Sequence, residues 1–242
     1  MAKFRFYGEP IPGVDLDSLA GKLIVLEGPD SVGRSTQIKM LRDWLESMGH
    51  AVSDTGLARS ALTQEGLDQA KSGHTLGRKT MSLFYATDFA DRLENQIIPA
   101  LRAGYYVLSD RYFYSVCARD IVRGADPQWI EGVYGFALVP DLVLYLRAEV
   151  EDLIPRALYG KGFNYWESGS DLAIGEDMFD SFCAYQGRLI KELNLMADRY
   201  HFVSISASND PDTIFRDLQK AIMPILVKRK TVGARCPNPH PT

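Results

Sequence analysis

Cysteine is scarce in this chain. The 242 residues hold three, Cys117, Cys183 and Cys236, an odd number at spacings of 66 and 53. Such spacings fit neither a disulfide framework nor a zinc site. They read as buried or incidental thiols of a reducing, cytoplasmic compartment. Histidine is equally thin. His50, His74, His201 and His240 never fall at metal-ligand spacing. No window approaches ~18 uninterrupted apolar residues, so no membrane span is expected. The opening MAKFRFYGEP has two early cations with no apolar run behind them, unlike a secretory signal. An excess of positive charge is also missing. Lys plus Arg is 27 against 31 for Asp plus Glu, a net charge of −4. That balance argues against a generic nucleic-acid binder, which needs a net-basic face. Hydrophobic residues at 46% and charged residues at 24% are ordinary globular values. The length suits one large α/β domain with insertions.

Short apolar runs recur at 23–27 (LIVLE), 105–109 (YYVLS), 142–146 (LVLYL) and 202–206 (FVSIS), with a weaker one at 51–55. Runs of this kind read as strands buried on both faces. Helix-period segments lie between them, at 35–48, at 77–102 with a kink expected near Pro99, and at 176–199. The alternation predicts an α/β fold, a parallel five-stranded sheet with helices on both faces. Residues 1–21 read as an N-terminal arm, with turn signals and a short alternation at Phe4 and Phe6. Residues 22–227 make the domain. Residues 228–242 form a basic, Pro-rich tail, expected to be flexible.

The first run is followed at once by Gly28-Pro-Asp-Ser-Val-Gly33-Arg34-Ser35-Thr36. This is the phosphate-loop spacing G-x-x-x-x-G-K-[ST] with arginine in the lysine position, in the required strand-to-helix context. Gly28 and Gly33 let the backbone wrap a phosphate chain. The amides of Ser31, Val32, Gly33, Arg34, Ser35 and Thr36 then converge on it with the helix dipole. Ser35 is placed to bind Mg²⁺ through its hydroxyl. Arg34 has to replace a lysine ammonium, an exchange that is not automatically conservative.

The residues at 27–37 (EGPDSVGRSTQ) resemble the phosphate loop of the thymidylate kinases. Asp110-Arg111-Tyr112 matches that family's D-R-[YFH] motif. Residues 82–101 (SLFYATDFADRLENQIIPAL) are similar to its long I-x-P-A-L helix, and Pro140-Asp141 opens a similar strand. Residues 180–193 sit where the family has a helix after its lid. The resemblance runs over about 22–226. It implies a P-loop nucleoside-monophosphate-kinase fold. It also implies a Mg²⁺-dependent transfer of the ATP γ-phosphoryl to dTMP, and a homodimer. Such transfer needs positioning, metal and positive charge rather than covalent chemistry.

The resemblance also assigns roles. Asp110 would hold Mg²⁺ through water or orient the acceptor phosphate, an N-cap being the plain alternative. Arg111 would clamp the monophosphate, with Tyr112 beside it. Asp30 would bind the sugar hydroxyl and a phosphate-binding arginine. Tyr85 would stack on the base. Phe89 falls where the family has a base-contacting arginine, and Arg92, three residues on, is the expected substitute. The lid is expected at 156–176, with six glycines or serines and the freedom a covering loop needs. The family puts catalytic arginines in the phosphate loop or lid. Between Tyr159 and Glu176 there is none, so Lys161 and Arg156 are the expected cations. Another nucleotide or nucleoside kinase on this fold, and a non-catalytic nucleotide-binding module, stay open as alternatives.

Overall fold

The computed structural model describes residues 4–73, 76–160 and 162–226. Lys161 and the basic tail lie outside the described residues. In chain order the elements are β1 (Lys22–Glu27), α1 (Arg34–Ser47), β2 (Val52–Gly56), α2 (Gln64–Gly73), α3 (Arg78–Arg92), α4 (Ile98–Arg102), β3 (Tyr106–Asp110), α5 (Phe113–Val122), α6 (Pro127–Val133), β4 (Leu142–Arg147), α7 (Val150–Tyr159), α8 (Met178–Arg199), β5 (Val203–Ser206) and α9 (Pro211–Ile222).

The five strands form one parallel sheet in the order β2-β3-β1-β4-β5. β1 is central because it is apolar on both faces. Leu23 and Val25 enter one core, Ile24 and Leu26 the other, the two-residue alternation of a strand. The first core takes α3, α5 and α8; the second takes α1 and α9. The weakest sequence run, at 51–55, supplies the edge strand β2, where one neighbour suffices.

The kink expected near Pro99 takes a different form. Between α3 and α4 the chain makes a π turn, Leu93–Ile97, in which the Ile98 N–H bonds to the Leu93 carbonyl. Pro99 then sits in the first turn of α4, where a missing N–H costs nothing. The arm is tied down. Phe6 bridges Leu138, and the Tyr7 N–H donates to the Ala137 carbonyl at 3.0 Å. The Tyr7 and Tyr114 hydroxyls pair at 2.6 Å.

Candidate active site

The phosphate loop, Asp110 and Arg111 gather at the C-terminal edge of the sheet, as the topology of open α/β sheets favours. β1 delivers the phosphate loop and β3 delivers Asp110. The loop needs its glycines. Gly28 has φ +154, and a Cβ there would meet the Leu146 carbonyl at 2.9 Å and the Val32 side chain at 3.0 Å. Gly33, at φ +96, precedes α1 and offers no side-chain cap. The first amides of a 14-residue helix are thus left for an anion. Ser31 takes a left-handed φ of +61 in the same loop, and Val32 is buried under it. Gly33, Ser35 and Thr36 face solvent.

Arg34 bridges two walls of the site. Its Nε donates to Asp110 Oδ1 at 2.8 Å and its Nη1 to the Gly28 carbonyl at 2.8 Å, with a further contact to the Pro29 carbonyl. Ser35 Oγ donates to Asp110 Oδ2 at 3.2 Å. Burial pushes the Asp110 carboxyl up, but Arg34 and Arg111 outweigh it and hold the group below the usual aspartate range. A hydroxyl beside an ionised carboxylate is a donor set that fits Mg²⁺, which completes its shell with phosphate oxygens and water.

Arg111 adopts φ +71, a left-handed conformation that a bulky residue rarely takes without a reason. Its Nη2 donates to Asp30 Oδ1 at 2.5 Å and its Nη1 to Ser115 Oγ at 2.9 Å. Glu27, at the end of β1, underpins this turn by accepting from the Tyr112 N–H at 2.8 Å and from Ser115 Oγ at 2.5 Å. Burial raises the Glu27 carboxyl, opposed by Arg111, Ser115 and Tyr112. Asp30 also accepts from Arg119 Nη2 at 2.7 Å and Gln186 Nε2 at 3.2 Å. Burial works against ionisation of Asp30, yet Arg119, Arg111 and Arg34 hold its carboxyl well below the usual range.

Burial, Arg34 and Arg119 together lower the Arg111 guanidinium to about 10. Three guanidinium groups, Arg34, Arg111 and Arg119, converge here on Asp110 and Asp30, an arrangement that suits a bound phosphate. Arg59, beside Asp54 at 3.4 Å, lines the same end.

Two cavities extend from this point, one of about 220 Å³ at the phosphate end and one of about 250 Å³ beyond it. Lys71, Tyr85, Arg119 and Glu167 line both. Tyr85 thus lies at the edge of a ligand-sized space. The lid closes over the second cavity. Arg123 binds Asp171 through Nε at 2.9 Å and Nη2 at 3.1 Å, and donates to the Trp166 carbonyl at 3.0 Å and the Tyr185 hydroxyl at 2.6 Å. Gln186 Nε2 holds the Glu167 carbonyl at 2.8 Å. Trp166 Nε1 donates to the Lys71 carbonyl at 3.2 Å.

Four expectations are corrected. Phe89 is fully buried, packed edge-on against Tyr112 at 4.8 Å and near Tyr134 and Phe136. Arg92 does share its face, as the helical spacing requires, but that face is the core. Its Nε pairs with Asp88 Oδ2 at 2.9 Å and its Nη1 with Thr55 Oγ1 at 3.3 Å, with both charged side chains at 0% exposure. Neither residue lines either cavity. Tyr112 is likewise buried, its hydroxyl donating to the Leu138 carbonyl at 3.0 Å. Arg156 spends its donors on the Val32 carbonyl at 3.1 Å and the Ala207 carbonyl at 2.6 Å. It braces the phosphate loop rather than facing the cavities. Lys161 falls outside the described residues.

A thymidylate kinase family model matches residues 26–218. The chain belongs to the thymidylate kinase family. The "Probable thymidylate kinase 2" of Saccharolobus solfataricus is 32% identical over 206 residues, 84% of this chain and 96% of that protein. The "Probable thymidylate kinase" of Thermococcus gammatolerans is 31% identical over 208 residues, 82% of this chain and 94% of that relative. The "Thymidylate kinase" of Brachyspira hyodysenteriae is 31% identical over 176 residues, 68% of this chain and 82% of its own length. The family fold is the five-stranded parallel sheet described above.

Sequence reasoning missed several residues at the site: Glu27, Arg119, Arg123, Glu167 and Gln186. Glu27 carried a signal, since an otherwise apolar buried strand ends on it. Arg119 and Arg123 are spaced i, i+4 and face one cavity. Read alone, they look like helix-surface charges.

Proposed function

We propose that this protein transfers the γ-phosphoryl of ATP to dTMP, giving dTDP and ADP. The observation that carries the reading is the continuous cleft from the free amides after Gly33, past Arg111 and Asp30, to Tyr85. It supplies a donor-phosphate cradle, a monophosphate clamp and a stacking surface in line, the parts phosphoryl transfer requires. Ser35 and Asp110 would hold Mg²⁺, which would supply neutralising charge to the phosphates. Arg34 and Arg111 then place positive charge beside the transferring group, and Arg119 and Asp30 fix the acceptor between them.

The deciding experiment is a steady-state assay of ATP with each of dTMP, dUMP, dCMP, dGMP and dAMP. Turnover strongest on dTMP supports the reading. Strongest turnover on another monophosphate replaces the acceptor, a possibility raised by Phe89 standing where the resemblance puts an arginine. No turnover on any would leave a nucleotide-binding module.

A cytoplasmic homodimer belongs to the same reading. The free thiols Cys117 and Cys183 suit a reducing compartment. No described helix is long and apolar enough to cross a membrane. Ala86, Phe89 and Leu93 are taken up by the chain's own core, so the contact would have to use the outward face of α3, where Leu83 is 49% exposed. Light scattering that reads a monomer mass at micromolar concentration would exclude the dimer.

A further inference from the structure

The second cavity has a polar end that the phosphate chemistry does not use. Asp120 lines it with Arg78, Met81, Tyr85 and Val116. Its Oδ2 is buried and has no hydrogen-bond partner. The Tyr134 hydroxyl, on a fully buried side chain, also has none. Tyr134 lines a different cavity, with Tyr7 and Phe113, so the Asp120 oxygen is the one that concerns this site. Unpartnered buried polar atoms are costly and rare. The Asp120 oxygen, on a residue that lines a ligand-sized cavity, calls for a polar guest.

Burial raises the Asp120 carboxyl, opposed by a Ser82 hydrogen bond and by the charges of Arg123 and Arg119, but the cations' own hydrogen bonds go elsewhere. Arg123 is spent on Asp171, Tyr185 and Trp166, Arg119 reaches Asp30, and Arg78 Nη1 donates to the Arg123 carbonyl at 2.9 Å. Lys71 Nζ lies 5.4 Å over one face of Tyr85, which leaves the other face for a base. A base stacked there meets, at Asp120, a group that accepts hydrogen bonds and, when ionised, cannot donate them.

We propose that Asp120 sets base specificity by accepting the N3–H of a 2,4-dioxopyrimidine. Cytosine presents a lone pair at N3, so the same carboxylate repels it. The inference rests on the monophosphate-acceptor reading and names the base class of that site. It also supplies a base contact in place of the one that Phe89 and Arg92 do not make.

The test is calorimetric binding of dTMP, dCMP and ATP to the full chain and to Asp120→Ala and Asp120→Asn. The Ala variant is expected to bind dTMP about tenfold more weakly, the scale of a lost hydrogen bond to a charged group, with dCMP binding unchanged or tighter. In the Asn variant the amide oxygen still accepts from thymine N3–H, while the amide N–H donates to cytosine N3. The preference for dTMP over dCMP should therefore fall about tenfold by a gain in dCMP binding. ATP affinity within about twofold of the parent reports an intact fold, and if the Ala variant does not fold the Asn variant decides. Equal weakening of dTMP and dCMP, or an unchanged preference, overturns the assignment and leaves Asp120 a structural group. A parent protein that shows no preference for dTMP over dCMP overturns both this inference and the thymidylate reading. A parent that prefers dTMP, with variants that keep the preference, overturns this inference alone.

Discussion

Arg34 Nε lies 2.8 Å from Asp110 Oδ1, an ion pair joining the first residue of α1 to the last residue of β3. The residue that stands for the phosphate-loop lysine is thus wedded to the carboxylate that would hold metal. Its fork also reaches the Gly28 carbonyl, a second contact made from a separate nitrogen of a rigid planar group. Arg34→Ala is expected to lower kcat at least ~100-fold, the scale of losing one transition-state donor. Arg34→Lys should retain more, because the charge survives while the fork is lost. Near-normal turnover in the Ala variant, measured with saturating ATP and acceptor, would remove Arg34 from the reaction.

The Arg92–Asp88 pair leads to a prediction of another kind. Asp88 accepts from the Ala58 N–H at 3.0 Å and the Ser60 N–H at 2.9 Å as well as from Arg92. Removing one partner of a buried pair costs about 3–5 kcal/mol, since the remaining charge stays desolvated. Arg92→Ala should therefore lower the urea midpoint sharply. At a temperature where the variant is still folded, KM for ATP and for the acceptor should stay near the parent values. A folded variant with weak acceptor binding and an unchanged urea midpoint would return Arg92 to the site.

What the sequence could tell divides along physical lines. Strands buried on both faces are continuous apolar runs, and the phosphate loop has fixed spacing, so β1, β3, β4 and Gly28–Ser35 are local signals. Asp30 and Arg111 were legible as members of motifs, yet their pairing across 81 positions is a property of the sheet order. The faces of α3 were harder. Arg92 is a charged residue near the end of an amphipathic helix, and spacing alone reads it as exposed or site-directed. Asp88, one turn back on the same helix, and Thr55, arriving from β2, together make burial tolerable. Arg123 failed for the same reason: its partners Asp171 and Tyr185 are 48 and 62 residues away.

Arg123 fastens the lid, and its loss should appear as a split between the two substrates. With Arg123→Ala, Asp171 loses both of its contacts to the guanidinium and the Trp166 carbonyl loses its donor. The cover over the second cavity should loosen while the phosphate loop stays intact. KM for the acceptor is expected to rise about tenfold, from loss of charge-assisted bonds, with KM for ATP nearly unchanged. Proteolysis within 160–176 should speed up in the absence of acceptor. Equal cutting rates and unchanged acceptor KM would deny Arg123 that part.

Acid should unfold this protein through a definable pair. Asp30 and Asp110 both have folded-state values held below the ordinary aspartate value, mainly by Arg119, Arg111 and Arg34 working against burial. At neutral pH each is ionised in the folded and the unfolded chain, and the stabilising interaction is fully present. As pH falls below the ordinary aspartate value of about 3.9, the unfolded chain takes up protons that the folded chain still refuses. Stability then falls with falling pH, and goes on falling until the folded-state values are passed. Glu27 has the opposite sign. Burial, the largest influence, raises its carboxyl, so its contribution is fully present below about pH 4.3 and is lost as pH rises through the raised value. Asp30→Asn removes one titrating member of the first group with little change in shape. Urea midpoints measured from pH 7 down to about 2.5 should show a shallower acid slope for Asp30→Asn than for the parent. Glu27→Gln should instead leave the acid slope in place and flatten the curve on the neutral side. Parallel acid slopes for the parent and Asp30→Asn would mean that Asp30 is not held ionised by its arginines, and the electrostatic account of the monophosphate clamp would go with it.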